Sequence, residues 1–355
     1  MSNANYSYIY NTTKPYEDIP LFFDFYLNYL YMPRHLSVLK SLHNQYPSFS
    51  MSLKYLYIWY NAHQFSYSFP KYIFDSFMIY VYTHDKDNVP NSGFLGFYRC
   101  LLLLSTFKFD SHVLLIDPNH EMDTKAIKSL YNNMSKRRRA QANDRCLYIC
   151  SPYDKESKAT EYIDDRVLFK RLISLATQSI HLLHQYFSTN QYEEMKSLIQ
   201  KLFISSTTDY DVKLELKQEI LLALPPYLSK LNKKNKKSRG SSYLASEYRN
   251  LSRDYQHTLL TNYNPMLTIY QYLQKKLGEK CYLFVNELYG STIYMVWRPN
   301  AFFCNHFTLT NSSYSFCIED QKEEEPKKLL VTNIYELTNE ILEECEDVIK
   351  NIQFI

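Results

Sequence analysis

The sequence predicts an α+β protein made of two units, a mainly helical unit followed by an α/β unit with a mostly antiparallel sheet. Between residues 16 and 107, apolar residues recur at helical spacing in segments bounded by prolines. Further along the chain, short apolar runs stopped by prolines are typical of strands, and two of them flank Gly290 as a predicted hairpin. With 355 residues, of which 45% are apolar and 22% charged, the chain is long enough to bury a core.

The first predicted domain covers residues 16–188 and is preceded by a polar segment, residues 1–15, that we expect to be flexible. Pro33 stands where a first helical residue belongs, because the missing N–H of proline would be unsatisfied there in any case. Ser50 and Ser92 are predicted to cap two later helices, since a serine hydroxyl accepts hydrogen bonds from the free N–H groups of a first turn.

The periodicity changes after residue 110. Apolar runs at 112–117 and 146–150 predict a small strand pair, and residues 123–139 between them predict a helix. A long amphipathic helix is predicted from 165 to about 186, with Asp165 at its positive end, where the helix dipole favours an acidic side chain.

The second predicted domain covers residues 189–355 and mixes helices with strands. Its predicted elements are a helix at 192–203, a strand at 210–216, helices at 242–256 and 265–277, hairpin strands at 281–287 and 292–297, a β-type segment at 306–318, a strand at 329–332 and a final helix from 334 to about 350.

The scarcity of glycine excludes several kinds of nucleotide and catalytic site. The chain contains only Gly93, Gly96, Gly240, Gly278 and Gly290. A dinucleotide fingerprint, a P-loop and a nucleophile elbow each need two or three glycines close together, and these positions can form none of them. The 35 tyrosines are best explained by an AT-rich genome and are weak evidence for a stacking surface.

Metal, disulfide and membrane patterns are also missing from the sequence. The 7 cysteines are scattered without a Cys-x-x-Cys pair, which favours a reducing compartment and no zinc site. The first residues do not read as a secretory signal, and the longest apolar run, 93–107, is too short to cross a bilayer. We therefore expect no cofactor, no metal, no membrane association and no small-molecule substrate.

Asp209 and Asp211 are the residues that most resemble a catalytic pair. An Asp-x-Asp on a strand places both carboxylates on one face, and nucleotidyltransferases use such a pair to hold Mg²⁺. That chemistry also needs a glycine-serine turn upstream to hold the triphosphate, and no glycine lies between Gly96 and Gly240. A Mg²⁺-dependent nucleotide-binding or nucleotidyltransferase-like enzyme is therefore the alternative hypothesis. The other interpretation of Asp209 and Asp211 is that they are ordinary solvated acidic residues.

Two basic clusters are candidates for RNA contact, since exposed cations bind phosphates with release of counterions. They could equally be nuclear import signals or solvated segments. Their candidate RNA-binding residues are Lys136, Arg137, Arg138 and Arg139 in the first cluster, and Lys233, Lys234, Lys236, Lys237 and Arg239 in the second, within a predicted loop at 230–239.

An ordered set of short segments resembles the Nrap family, the nucleolar RNA-associated proteins of the small-subunit processome. In the first domain the set comprises 46–49, Trp59, 93–97, 103–107, 113–117 and 151–154. In the second it comprises 209–212, 264–265, 283–287, Gly290 and 296–299.

The resemblance implies the fold and the role of each domain. Residues 16–188 would be the family's fifth domain, a helical poly(A)-polymerase/oligoadenylate-synthetase-like module, and residues 189–355 its sixth, an α/β tail-like domain. The family's four upstream domains have no counterpart here, so a divergent short form, a truncated gene and one piece of a split gene all stay open.

The resemblance also implies a function. We expect a non-catalytic scaffold in the nucleolus that takes part in early processing of pre-ribosomal RNA and binds pre-ribosomal or small nucleolar RNA and other processome proteins. A bare interaction module without an RNA role is a further alternative.

Overall fold

The computed structural model describes residues 21–140, 146–161, 163, 165–217, 265–287, 290–302, 305–306, 315–319, 328–346 and 348–355. The chain divides into two compact units, Met1–Ser206 and Thr207–Ile355. The predicted α+β class is confirmed, because helices dominate the first unit and the second contains an antiparallel sheet.

In its described residues, the first unit consists of helices and one pair of short strands. Its helices are α1 (Leu21–Phe25), a π-helical segment (Tyr26–Tyr31), α2 (Met32–Gln45), α3 (Phe49–Ala62), α4 (Lys71–Thr83), α5 (Gly93–Thr106), α6 (Thr124–Ala140), α7 (Arg166–Ser188) and α8 (Tyr192–Leu202). Its strands are β1 (Leu114–Leu115) and β2 (Ile149–Cys150).

The predicted helix starts at Ser92 and Asp165 are confirmed. Pro33 is the second residue of α2, but it does not open a helix, because the chain is already helical from Leu21 through the π-helical segment Tyr26–Tyr31. The Ser92 hydroxyl accepts a hydrogen bond from the N–H of Leu95 at the start of α5. Asp165 accepts hydrogen bonds from two backbone N–H groups of α7. The prediction for Ser50 was wrong, because α3 already begins at Phe49, and Ser48 at the preceding position donates its hydroxyl hydrogen bond to the carbonyl of Pro90.

Helices α3, α5 and α7 pack together around buried side chains. Trp59 of α3 is fully buried, and its indole N–H donates a hydrogen bond of 2.9 Å to Ser179 Oγ of α7. Gly96 lets α5 approach α3 closely, since a Cβ at this position would lie 2.1 Å from Ser52 Oγ. The close approach explains the need for glycine inside a helix, where it is otherwise unfavourable.

Helix α8 belongs to the first unit, whereas the sequence pattern placed it at the start of the second. Leu198 and Leu202 are buried, and the Leu202 carbonyl lies 3.2 Å from His63 Nε2. The polar residues Thr189 and Asn190 resemble a domain linker in the sequence, but they only turn the chain between α7 and α8.

The described residues of the second unit form two sheets and two helices. Its elements are β3 (Val212–Leu216), α9 (Pro265–Leu277), β4 (Cys281–Val285), β5 (Thr292–Trp297), β6 (Asn305–His306), β7 (Ser315–Glu319), β8 (Lys328–Thr332), α10 (Ile334–Glu344) and β9 (Ile349–Phe354).

The larger sheet is antiparallel throughout, with the strand order β4, β5, β3, β9. The predicted hairpin of β4 and β5 is confirmed, with Cys281 opposite Trp297. The prediction of one helix from 334 to about 350 was wrong, because α10 ends at Glu344 and β9 pairs with β3. Ile349 alone is buried at the start of β9, so the strand shows little of the apolar alternation that would predict it.

Three expected segments lie outside the described residues. They are the polar N-terminal residues 1–15, the basic loop at 230–239 and the predicted helix at 242–256.

Candidate nucleic-acid interface

Helix α6 carries the first basic cluster and is fixed to the strand pair β1–β2. The two strands are parallel, with Leu114 opposite Ile149. Leu130 and Met134 of α6 are buried in a cluster with Tyr148 and residues of both strand segments. These apolar residues lie along one side of α6, so the opposite side faces solvent.

Arg138 is directed towards the protein rather than towards solvent. It donates hydrogen bonds to the carbonyls of Phe109 and His112, at 3.2 and 2.7 Å, and its guanidinium lies 4.7 Å from the centre of the Tyr148 ring. Burial lowers the pKa of Arg138 from its ordinary value, a cost that the nearby Tyr148 partly offsets. Arg138 therefore ties α6 to the segment that precedes β1.

Arg137 is also engaged within the first unit. It donates to the backbone carbonyl of Glu156 at 2.9 Å and forms an ion pair with the Glu156 carboxylate at 3.3 Å. Lys158 approaches the same carboxylate at 3.3 Å, and these cations lower the pKa of Glu156. Arg137 therefore joins the end of α6 to the turn after β2.

The two remaining residues of the cluster, Lys136 and Arg139, are exposed. Lys125 and Lys128, near the start of α6, are exposed as well. Residues 125, 128, 136 and 139 are separated by intervals that bring them to one side of a helix. We call this side the basic face of α6; within the described part of the chain its four cations have no hydrogen-bond or ion-pair partner.

Lys125 and Lys128 were not predicted as RNA-binding residues, because neither has a basic neighbour in the sequence. The signal that could have found them is the helical spacing of lysines in a segment without a single acid. Asn132 lies between the two pairs on the same face and is also exposed.

The second cluster, Lys233, Lys234, Lys236, Lys237 and Arg239, lies outside the described residues. Its role in RNA binding stays a prediction.

Asp209 and Asp211 do not form the strand pair that a two-metal site would require. Asp209 ends a 3₁₀ turn (Thr207–Asp209), and β3 begins only at Val212. The Asp211 carboxylate accepts a hydrogen bond of 2.7 Å from the N–H of Trp297, and its backbone pairs with Met295 and Ile355. Among the described residues, no three His, Cys, Asp or Glu side chains gather closely enough to hold a metal ion.

A polar network in the first unit has the residue types of a catalytic site, but its histidine and its aspartate are buried. His35 is fully buried, with Nε2 3.6 Å from Asp75 Oδ2 and Nδ1 3.3 Å from the Tyr153 hydroxyl. Tyr57 donates a hydrogen bond to the other oxygen of Asp75. The network joins α2, α3 and α4 to the turn after β2, which is a structural task.

An open cleft of about 360 Å³ adjoins the segment held by Arg138. Phe107, Phe109 and Phe169 line it together with Lys108, Arg166 and Lys170. Its cations are exposed and Arg166 lies 3.5 Å from Asp110, so the described residues form no enclosed site for an anion.

No helix in the described ranges has both the length and the apolar character needed to cross a membrane.

Comparisons with known proteins match both units. The family model described as "Nrap protein PAP/OAS1-like domain 5" matches residues 46–205, and the model described as "Nrap protein domain 6" matches residues 207–352. Nucleolar protein 6 of Xenopus tropicalis is 25% identical over 323 residues, which are 90% of this chain and 27% of that protein. Nucleolar protein 6 of Xenopus laevis is 23% identical over 285 residues, 79% of this chain and 24% of that protein. The chain thus spans about a quarter of the length of these curated relatives.

Proposed function

Because the chain belongs to the Nrap family, we propose that it is a non-catalytic scaffold subunit of a nucleolar pre-ribosomal particle. In this role it acts in small-subunit rRNA processing and ribosome biogenesis by binding RNA and proteins. The observation that carries the proposal is the match of two consecutive domains of one family, in order, to residues 46–205 and 207–352. The names of the two relatives support a place in the nucleus and its nucleolus.

The proposed partners are pre-ribosomal or small nucleolar RNA and other proteins of the processome. The exposed cations Lys136 and Arg139 are suited to phosphate contact. Arg137 and Arg138 hold α6 in place, which keeps the exposed pair in a fixed position.

The proposed role is non-catalytic because the residues that most resemble a catalytic pair are used structurally. The Asp211 carboxylate accepts the backbone N–H of Trp297, and Asp209 lies outside the strand. The shortage of glycine supports the same conclusion, since no glycine precedes this pair within a distance that a triphosphate-gripping turn would need.

The experiment that tests the proposal is affinity purification of the tagged full chain from its own cells, followed by sequencing of the bound RNA. The expected result is enrichment of small-subunit pre-rRNA over messenger RNA, with the tagged protein in the nucleolus. A tag-only purification is the control. Recovery of pre-rRNA at the level of this control would contradict the proposal.

A further inference from the structure

The basic face of α6 has a charge pattern that helix stability does not explain. A helix dipole favours cations in the last turn and disfavours them in the first. Arg139 in the last turn follows this rule, but Lys125 lies in the first turn and Lys128 directly after it, and no acid lies in the first turn. The neighbouring Asp123 accepts the backbone N–H of Ala126, so its carboxylate serves the helix start.

The four cations are held at fixed distances from one another. At a rise of 1.5 Å per residue, Lys125 and Arg139 are separated by about 21 Å along the axis. The buried residues Leu130 and Met134 fix the middle of α6, and the hydrogen bonds of Arg138 fix its end. The cations of the face therefore project from a helix that is fixed in the first unit, rather than from a flexible tail.

The residues between the cations favour backbone contact over base stacking. Ser129 and Asn132 are exposed on this side and can hydrogen-bond phosphate or ribose 2′-hydroxyl oxygens. Tyr131 is the aromatic residue of α6 and is 40% exposed at the flank of the face. Proteins that bind single-stranded RNA usually present several aromatic side chains for stacking, whereas duplex RNA is recognised through phosphates and 2′-hydroxyls.

We propose that the basic face of α6, formed by Lys125, Lys128, Lys136 and Arg139, binds the sugar-phosphate backbone of duplex RNA without reading its sequence. The proposal rests on the proposed function for the source of the RNA, which would be a stem of the pre-ribosomal or small nucleolar RNA. The binding itself is a property of the face and is tested separately.

The test measures the affinity of the purified full chain for a labelled RNA duplex of about 16 base pairs, the length a duplex-binding domain spans, and for a single strand of the same composition. The double variant Lys125→Gln/Lys128→Gln removes two cations far from Arg137 and Arg138. Lys40→Gln/Lys54→Gln removes the same charge from exposed positions on α2 and α3 and is the matched control.

The wild-type chain and the control are expected to prefer the duplex by about tenfold or more. The face variant is expected to lose at least about tenfold in duplex affinity. The negative slope of log affinity against log salt should become less steep by roughly 2, about one for each lost phosphate contact. The melting temperature of the face variant should equal or slightly exceed that of the wild type, because Lys125 lies in the first turn, where the helix dipole disfavours a cation.

Equal duplex affinity of the two variants, or a preference for the single strand, would overturn the proposal. A face variant that keeps duplex affinity but loses the pre-ribosomal particle would assign the face to a protein partner and would overturn it as well. If the face variant alone loses duplex affinity while the wild type fails to recover pre-rRNA from cells, the proposed function fails and this inference stands.

Discussion

Arg138 of α6 donates a hydrogen bond of 2.7 Å to the backbone carbonyl of His112. The same guanidinium donates to Phe109 and lies over the Tyr148 ring. Arg138 therefore holds α6 in position, although it stands in the sequence among residues that resemble an RNA-binding cluster.

Replacing Arg138 with glutamine should lower the free energy of unfolding by about 0.5–1.5 kcal/mol, because a charged donor loses its hydrogen bonds to two backbone carbonyls, one of them exposed to solvent. Lys136→Gln removes the same charge two residues away, from an exposed side chain, and should change stability by less than about 0.5 kcal/mol. Urea denaturation of both variants measures the difference. Equal stabilities would contradict the structural role of Arg138.

Gly96→Ala should destabilise the first unit, although alanine is the better helix former by about 1 kcal/mol. The added methyl group would lie 2.1 Å from Ser52 Oγ and 2.8 Å from the Tyr82 hydroxyl, and overpacking of this kind costs about 1–3 kcal/mol. Thermal denaturation checks the sign. In a protein that already carries Ser52→Gly, the same Gly96→Ala change should cost less, because the Ser52 side chain no longer opposes the methyl group. A Gly96→Ala protein as stable as the wild type would show that α3 and α5 are not in close contact.

Asp211 offers a test between a structural and a metal-binding role. Asp211→Ala should lower stability by roughly 1–2 kcal/mol because the Trp297 N–H loses its acceptor. Asp211→Asn should lose much less, since the amide oxygen can still accept this bond. The measurement is thermal denaturation with and without Mg²⁺. If the Asn and Ala variants were equally destabilised and Mg²⁺ raised the stability of the wild type alone, Asp211 would be a metal ligand.

His63 should make the protein less stable as the pH falls below about 6.5. Burial lowers the pKa of His63 to about 4, and the charge of Arg171 acts in the same direction. Between pH 6.5, the ordinary pKa of histidine, and about pH 4, the unfolded chain binds a proton at His63 that the folded protein does not bind. The free energy of unfolding therefore falls by up to about 3 kcal/mol over this range.

The check is the free energy of unfolding measured from pH 7 to pH 4 for the wild type and for His63→Gln. Glutamine can still donate a hydrogen bond to the Leu202 carbonyl, 3.2 Å from Nε2 in the wild type, but it does not titrate. The variant should therefore show a shallower decline. Identical slopes would mean that His63 accepts a proton in the folded protein.

Local signals predicted the helices and the hairpin because their causes lie within a few residues. Ser92 and Asp165 cap helices through their own side chains. Strand β9 was missed because Lys350, Asn351 and Gln353 are exposed, and its identity depends on pairing with β3 far away in the sequence.

The roles of the basic residues could be predicted only in part. A run of cations suggests phosphate contact. Which of these cations stay exposed and which are used inside the protein depends on the hydrogen-bond acceptors that other segments place near them. Arg137 forms an ion pair with Glu156, and Arg138 donates a hydrogen bond to the carbonyl of His112. Neither contact can be predicted from the spacing of residues in the sequence. Lys125 and Lys128 could have been added from helical spacing alone, whereas the cluster at 233–239 stays a prediction.

Sucrose-gradient sedimentation of the tagged full chain from its own cells tests the central claim most directly. We predict that the chain sediments with large pre-ribosomal particles, together with small-subunit pre-rRNA, and moves to the light fractions when RNA is digested. A chain that stays in the light fractions without pre-rRNA, before and after digestion, would contradict a scaffold role in these particles.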